Sequence, residues 1–198
     1  IEYNEAKSGG AICITSWPSG FFIRNNLISN NTASSRGGAI HFYNSVGENQ
    51  TGSSPTRMTN TMYGNNSLDS ENVSPYIINN TFCNNTGNNW GGAIVNSFEA
   101  TKIILINNIF HSNIANLGPD LYTQYGASSY YLNYNCIDTS LIYGTWSGTN
   151  FVTGDPLFAG TGVHPFALSP NSPCIDAGWP SDWAHTPIYD IRGFPRVL

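Results

Sequence analysis

The tetrapeptide Gly-Gly-Ala-Ile occurs three times in this chain, at residues 9–12, 37–40 and 91–94, and its recurrence limits the fold more than any other feature. The second glycine advances by 28 residues from Gly10 to Gly38 and by 54 from Gly38 to Gly92. A second motif, an asparagine pair before two strand residues and a further asparagine, keeps the same beat. It reads Asn25-Asn26-Leu27-Ile28 with Asn31, Asn79-Asn80-Thr81-Phe82 with Asn85, and Asn107-Asn108-Ile109-Phe110 with Asn113. Motifs that share one period and one phase mark a solenoid, in which each unit buries its apolar side only against the next. The long interval reads as two periods, with Thr59-Asn60-Thr61-Met62 and Asn65 as the missing copy.

Helical repeats would need apolar residues at three- and four-residue spacing over a dozen positions. Here the apolar runs are short, β-branched or aromatic, and bounded by Gly and Asn pairs, which is a strand pattern. The expected fold is all-β: a right-handed single-stranded parallel β-helix with about 27 residues per coil. Ile23, Ile77 and Leu105 then point inward before a corner. Ile28, Met62, Phe82, Phe110 and Ile137 form one internal column after it. Asparagine suits the corners because it tolerates left-handed backbone, and Asn31, Asn65, Asn85 and Asn113 stack as an amide ladder that satisfies a buried polar column. The coils are expected over 1–140. Residues 141–198 form a cap of the same domain, with Trp146, Phe158 and Trp179 over the last coil.

Only 10% of residues are charged, against about 25% in ordinary domains, while 26 are Asn and 20 are Gly. A net charge of −5 with seven scattered Lys and Arg leaves no basic stripe, so nucleic acid is not an expected partner. The longest apolar run, residues 103–106, is far too short to span a bilayer, and membrane insertion is not expected. The chain enters a repeat within its first residues. That suggests a mature or excised product whose first coil is covered by further chain or by another copy, so end-to-end self-association is one expected partnership.

Cys13, Cys83, Cys136 and Cys174 show no CxxC spacing, which argues against a zinc ribbon or a thioredoxin-like site. Cys13 and Cys83 read as small repeat residues. Cys136 and Cys174 share the terminal region and are a candidate disulfide, which would imply an oxidising compartment. Six Asn-x-Ser/Thr sequons occur, and Asn49, Asn65 and Asn72 are the expected exposed acceptors. No metal site or cofactor is expected: Asp69 and Glu71 alone are a weak calcium signal.

The best catalytic group the residues offer is Glu99 and Lys102, joined by His41 and Arg57. It would suit a polysaccharide lyase, which needs a base near a sugar carbon and a cation for the developing charge. Glycoside hydrolysis would need paired carboxylates instead. Trp17, Trp90, Tyr130 and Tyr131 are candidate stacking platforms for a surface glycan.

The later motifs carry a resemblance. Gly118-Pro119-Asp120-Leu121-Tyr122, Asn135-Cys136-Ile137, Asp155-Pro156-Leu157-Phe158, the run 172–178 and the run 190–196 resemble, as a series, the C-terminal half of bacterial β-helix proteins of the choice-of-anchor Q domain type. The Gly-Gly-Ala-Ile units alternating with Phe82-Cys83-Asn84-Asn85 and Phe110-His111-Ser112-Asn113 are similar to the repeats of polymorphic outer-membrane proteins, which are surface adhesins. These resemblances imply a secreted or surface-anchored β-helix and no particular reaction. The expected function is a non-catalytic extracellular module: structural, adhesive, or a head-to-tail filament subunit. A polysaccharide lyase or hydrolase and a glycan-binding module are the alternatives.

Overall fold

The corner residues show how the chain turns. A computed structural model describes residues 1–17, 21–43, 74–98, 101–126 and 128–179. In each asparagine pair the first residue takes the left-handed conformation, as at Asn25, Asn79 and Asn107 (φ 57°, 56° and 55°). Asn30, Asn84 and Ser112 do the same at the next corner (φ 55°, 55° and 54°). Each leaves a three-residue strand between two tight bends.

The windings follow from these bends. The first coil holds β1 (Glu5–Ser8), β2 (Ile12–Ile14), β3 (Phe22–Arg24) and β4 (Leu27–Ser29). The second holds β5 (Thr32–Arg36), β6 (Ile40–Phe42), β7 (Tyr76–Ile78) and β8 (Thr81–Cys83). The third holds β9 (Thr86–Trp90), β10 (Ile94–Asn96), β11 (Lys102–Ile106) and β12 (Ile109–His111). The fourth holds β13 (Ile114–Leu117), β14 (Leu121–Thr123) and β15 (Ser129–Asn133). A partial fifth adds β16 (Ile142–Tyr143) and β17 (Trp146–Thr149).

Every strand pairs in parallel with its counterpart one coil away, which makes four sheets: β1-β5-β9-β13, β2-β6-β10-β14-β16, β3-β7-β11-β15-β17 and β4-β8-β12. The chain is an all-β parallel β-helix. Stacking continues past residue 140, since β16 and β17 extend the second and third sheets.

One expectation is corrected. Ile28 lies directly opposite Phe82, Ile40 opposite Ile94, and Ile23 opposite Ile77. The interval of 54 is therefore one coil with an enlarged connection between β6 and β7, not two coils. Met62 and Asn65 lie outside the described residues, and no coil separates Ile28 from Phe82 to receive them. A residue count cannot tell an added winding from chain inserted at a corner, because an insertion there leaves the register of the strands intact.

Ile28, Phe82, Phe110 and Ile137 are all buried, and the two phenyl rings stack at 5.0 Å with 9° between planes. Beside them lie Ile40, Phe42, Ile94, Leu105, Leu121 and Leu132 in one continuous core. The Gly-Gly corner joins the first and second sheets. Its leading glycine is left-handed (φ 63° at Gly9, 65° at Gly37, 59° at Gly91). Its second glycine is forced by proximity: a Cβ on Gly38 would press on the Gly92 carbonyl and the Thr86 backbone. Gly38→Ala should therefore cost about 3 kcal/mol in urea unfolding. At Gly126 an added Cβ meets nothing, and Gly126→Ala should stay within about 0.5 kcal/mol of the parent.

Asparagine satisfies the interior in two columns. Asn4 donates to Asn31 Oδ1 (2.9 Å), Asn31 to Asn85 (3.0 Å), Asn85 to Asn113 (3.0 Å), and Asn113 to the Asp120 carboxylate (3.0 Å). At the other corner Asn26 donates to Asn80 (3.0 Å), Asn80 to Asn108 (3.1 Å) and Asn108 to Asn135 (3.0 Å). Each carboxamide oxygen also accepts the preceding coil's main-chain N–H, as Asn85 does from Asn31 (3.1 Å). Backbone that the corner leaves unpaired is thereby satisfied.

Candidate functional site

Chemistry-bearing side chains gather where the first sheet turns into the second. Arg36 ends β5 and Trp90 ends β9, opposite one another, and each strand has a register irregularity against its other neighbour just before this residue. The Arg36 guanidinium sits 4.3 Å over the Trp90 ring, Trp90 stacks on Tyr122 at 5.1 Å, and Tyr122 on Tyr143 at 5.1 Å. Three nearly parallel rings under a cation form a ladder at the pitch of the coils. Each pair gains beyond its buried area from aromatic contact and from cation–π attraction.

His41 stands beside this stack. It alternates with the core residues Ile40 and Phe42, so its side chain leaves the core side of β6, yet it is fully buried. Its Nε2 lies 2.8 Å from Ser97 Oγ, its ring meets Tyr43 at 5.2 Å, and its Nδ1 has no hydrogen-bond partner. Burial, with the Arg36 charge nearby, depresses the imidazole to a pKa of about 4. It is a neutral ring at physiological pH.

A second buried titratable group lies inside the coil. Asp120 follows Gly118-Pro119 and, since Leu121 faces Ile94, occupies the slot that Ala39 and Ala93 fill in earlier coils. Burial pushes its carboxyl up to about 7; the hydrogen bond from Asn113 opposes this and the Asp138 charge adds to it.

Of the proposed catalytic group, the structure describes Lys102 and His41. Lys102 is exposed at the start of β11 in the third sheet, while His41 is buried in the second. Glu99 and Arg57 lie outside the described residues, as do Asp69, Glu71 and the sequon residues Asn49, Asn65 and Asn72. Among the described residues no three His, Cys, Asp or Glu side chains gather as a metal site. No helix among them is long and apolar enough to cross a membrane.

The aromatic candidates also divide. Tyr130 is corrected from platform to core: it pairs with Ile103 on the inner side of β15, is fully buried, and donates its hydroxyl to the carbonyls of Tyr122 (3.0 Å) and Ile94 (3.2 Å). Tyr131, the next residue, is 37% exposed. Both faces of Trp90 are occupied, by Arg36 and Tyr122. Trp17 packs edge-on against Phe42 (5.6 Å) and Phe98 (4.6 Å). Cys13, expected as a buried repeat residue, is exposed on β2, whereas Cys83 is buried. Sequence reasoning missed Ser97, Asp120 and the Asn26 column. The usable signal was the offset of 27 that sets Asp120 against Ala93.

Two segments, 27–43 and 81–97, match the model of the Chlamydia polymorphic membrane protein (Chlamydia_PMP) repeat. Their starts, Leu27 and Thr81, are register partners, so each match begins at the same point of a coil and covers a fourth-sheet strand, the following first-sheet strand and the Gly-Gly corner. The chain is thus similar to this repeat at two equivalent places. No curated protein matches the chain, and no solved structure does either.

Proposed function

We propose that this chain is a non-catalytic β-helix module of a cell-surface adhesin. The observation that carries the reading is the coincidence of the polymorphic membrane protein repeat with the structural coil, segment for segment and in register. The series of motifs after residue 118, similar to choice-of-anchor Q proteins, supports a surface-anchored setting. The chemistry of the walls agrees with this role: Arg36, Trp90 and Tyr122 are engaged with one another, and His41 is held neutral and buried. These groups stiffen the outer wall.

Two measurements test the reading. Intact source cells treated with a membrane-impermeant biotin reagent should yield labelled chain; labelling only after lysis would remove the surface assignment. The purified chain should bind at least one component of an array of glycans and extracellular-matrix proteins, and binding should survive Lys102→Ala. Cleavage of a uronate or neutral polysaccharide that is abolished by Glu99→Gln or Lys102→Ala would replace adhesion with catalysis. Head-to-tail assembly is the finer form of this proposal, and light scattering that shows only monomers would remove that form alone.

A further inference from the structure

We infer that Cys136 and Cys174 close a disulfide that fastens the segment 172–179 to the last full winding. Cys136 bridges Ile109 on one side and Val152 on the other, in the slot that Leu27, Thr81 and Ile109 fill in the fourth sheet. Those three are partly exposed, whereas Cys136 is buried. The returning chain docks beside this slot. Trp179 N–H donates to Asn107 Oδ1 (2.8 Å), its ring meets Tyr134 edge-on at 5.1 Å, and Gly178 lies against the Asn107 carboxamide. Upstream, Cys174 N–H donates to Ser172 Oγ (3.1 Å), and Ser172 is itself buried. The segment is thus fastened to the coil at its C-terminal end, and the Ser172 bond fixes the Cys174 backbone within it.

Each thiol is the largest influence on the other's acidity, which sets the two side by side, and the Cys136 thiol reaches the Gly154 carbonyl at 3.8 Å. The influence is unequal. Neighbouring Cys136, helped by Ser172, lowers the Cys174 pKa. Neighbouring Cys174, with burial and the charges of Asp120 and Asp155, raises that of Cys136. Cys174 is also the more accessible thiol. It is therefore the attacking group, since the thiolate is the nucleophile in exchange.

The chemistry balances with a small-molecule disulfide such as oxidised glutathione. Cys174 thiolate attacks one of its sulfurs, forms a mixed disulfide and releases one glutathione thiolate. Cys136 gives its proton to solvent and attacks Cys174 Sγ, releasing the second. Two protein thiols are oxidised and one glutathione disulfide is reduced to two thiols. Cys13 and Cys83 stand on β2 and β8, and burial holds the Cys83 thiol up at about 11 with the Asp120 charge adding to it.

The full chain incubated with oxidised glutathione, then denatured, alkylated and digested, should yield a peptide pair joined through Cys136 and Cys174, with Cys13 alkylated or carrying glutathione. Reduction should lower the Tm by about 10 °C, and Cys174→Ser should abolish that redox-dependent shift. Alkyl label on both Cys136 and Cys174 after oxidation, or a stable glutathione adduct on Cys174 with no link, would overturn the inference. So would a redox-dependent Tm shift that persists in Cys174→Ser. That variant alters the more accessible thiol, so it carries the test even if Cys136→Ser fails to fold.

Discussion

Replacing Asn85 by alanine should lower the free energy of unfolding by about 4 kcal/mol, read as a shift of the urea midpoint at unchanged slope. The side chain sits in the middle of its column. Its oxygen accepts from the Asn31 backbone N–H (3.1 Å) and Asn31 Nδ2 (3.0 Å), and its nitrogen donates to the Ile28 carbonyl (2.9 Å) and Asn113 Oδ1 (3.0 Å). Alanine removes all four bonds, opens a small void, and leaves the buried Asn31 N–H without that acceptor. Each net bond is worth about 1 kcal/mol, and a stranded buried donor costs about 1–3 kcal/mol. Against a total stability of about 5–15 kcal/mol this is a large share. The neighbouring Asn84 provides the contrast, being exposed and left-handed. Asn84→Ala should cost about 1 kcal/mol for the strained backbone, and Asn84→Gly almost nothing. Equal losses at Asn84 and Asn85 would refute the ladder as a source of stability.

The second large effect concerns pH, where two buried groups work against each other. Asp120 titrates at about 7 in the folded chain against 3.8 unfolded. Between these values the folded state holds the extra proton, so this contribution is present below about pH 4 and is lost as pH rises to 7. His41 moves the other way, from 6.5 unfolded to about 4 folded. There the unfolded state holds the extra proton, and the contribution is present above pH 6.5 and lost as pH falls toward 4. The shifts correspond to about 4 and about 3 kcal/mol respectively, with opposite signs.

Across the shared window the two terms nearly cancel, so the parent should show a shallow pH profile there. Asp120→Asn keeps an acceptor for Asn113 and removes the charge. It should raise stability at neutral pH by about 2–4 kcal/mol and expose a profile that climbs with pH. His41→Gln should expose the opposite profile, falling from pH 4 to 7. Urea unfolding of the three proteins across that range checks this. Parallel profiles in parent and Asp120→Asn would show that the carboxyl is not held up by the fold.

Most of the architecture was legible because corners make demands that few residues meet. Left-handed backbone and close approach of neighbouring chain call for Asn and Gly, so Asn25, Asn79, Asn107, Gly37 and Gly91 mark the bends in the bare sequence. What lay beyond reach was anything set by neighbours in space. The interval of 54 gave no sign that its excess belongs to one corner; only the pairing of Ile28 with Phe82 shows that. Tyr130 and Tyr131 look equivalent in sequence, and the register with Ile103 decides which one faces the core. For His41, alternation gives the side of the strand but not what packs over it. The candidate site was the least legible part, since its members come from four coils and meet only through stacking.

Within the two asparagine columns Asn4, Asn31, Asn85, Asn26, Asn80 and Asn108 all point the same way, each NH₂ reaching forward to the oxygen of a later winding. Aligned dipoles add, as they do along a helix, so the rod has an electrical direction as well as a chemical one. Inverting one rod against another would set oxygen against oxygen or NH₂ against NH₂ at the junction. Any extension of the columns past either end would therefore have to preserve their sense.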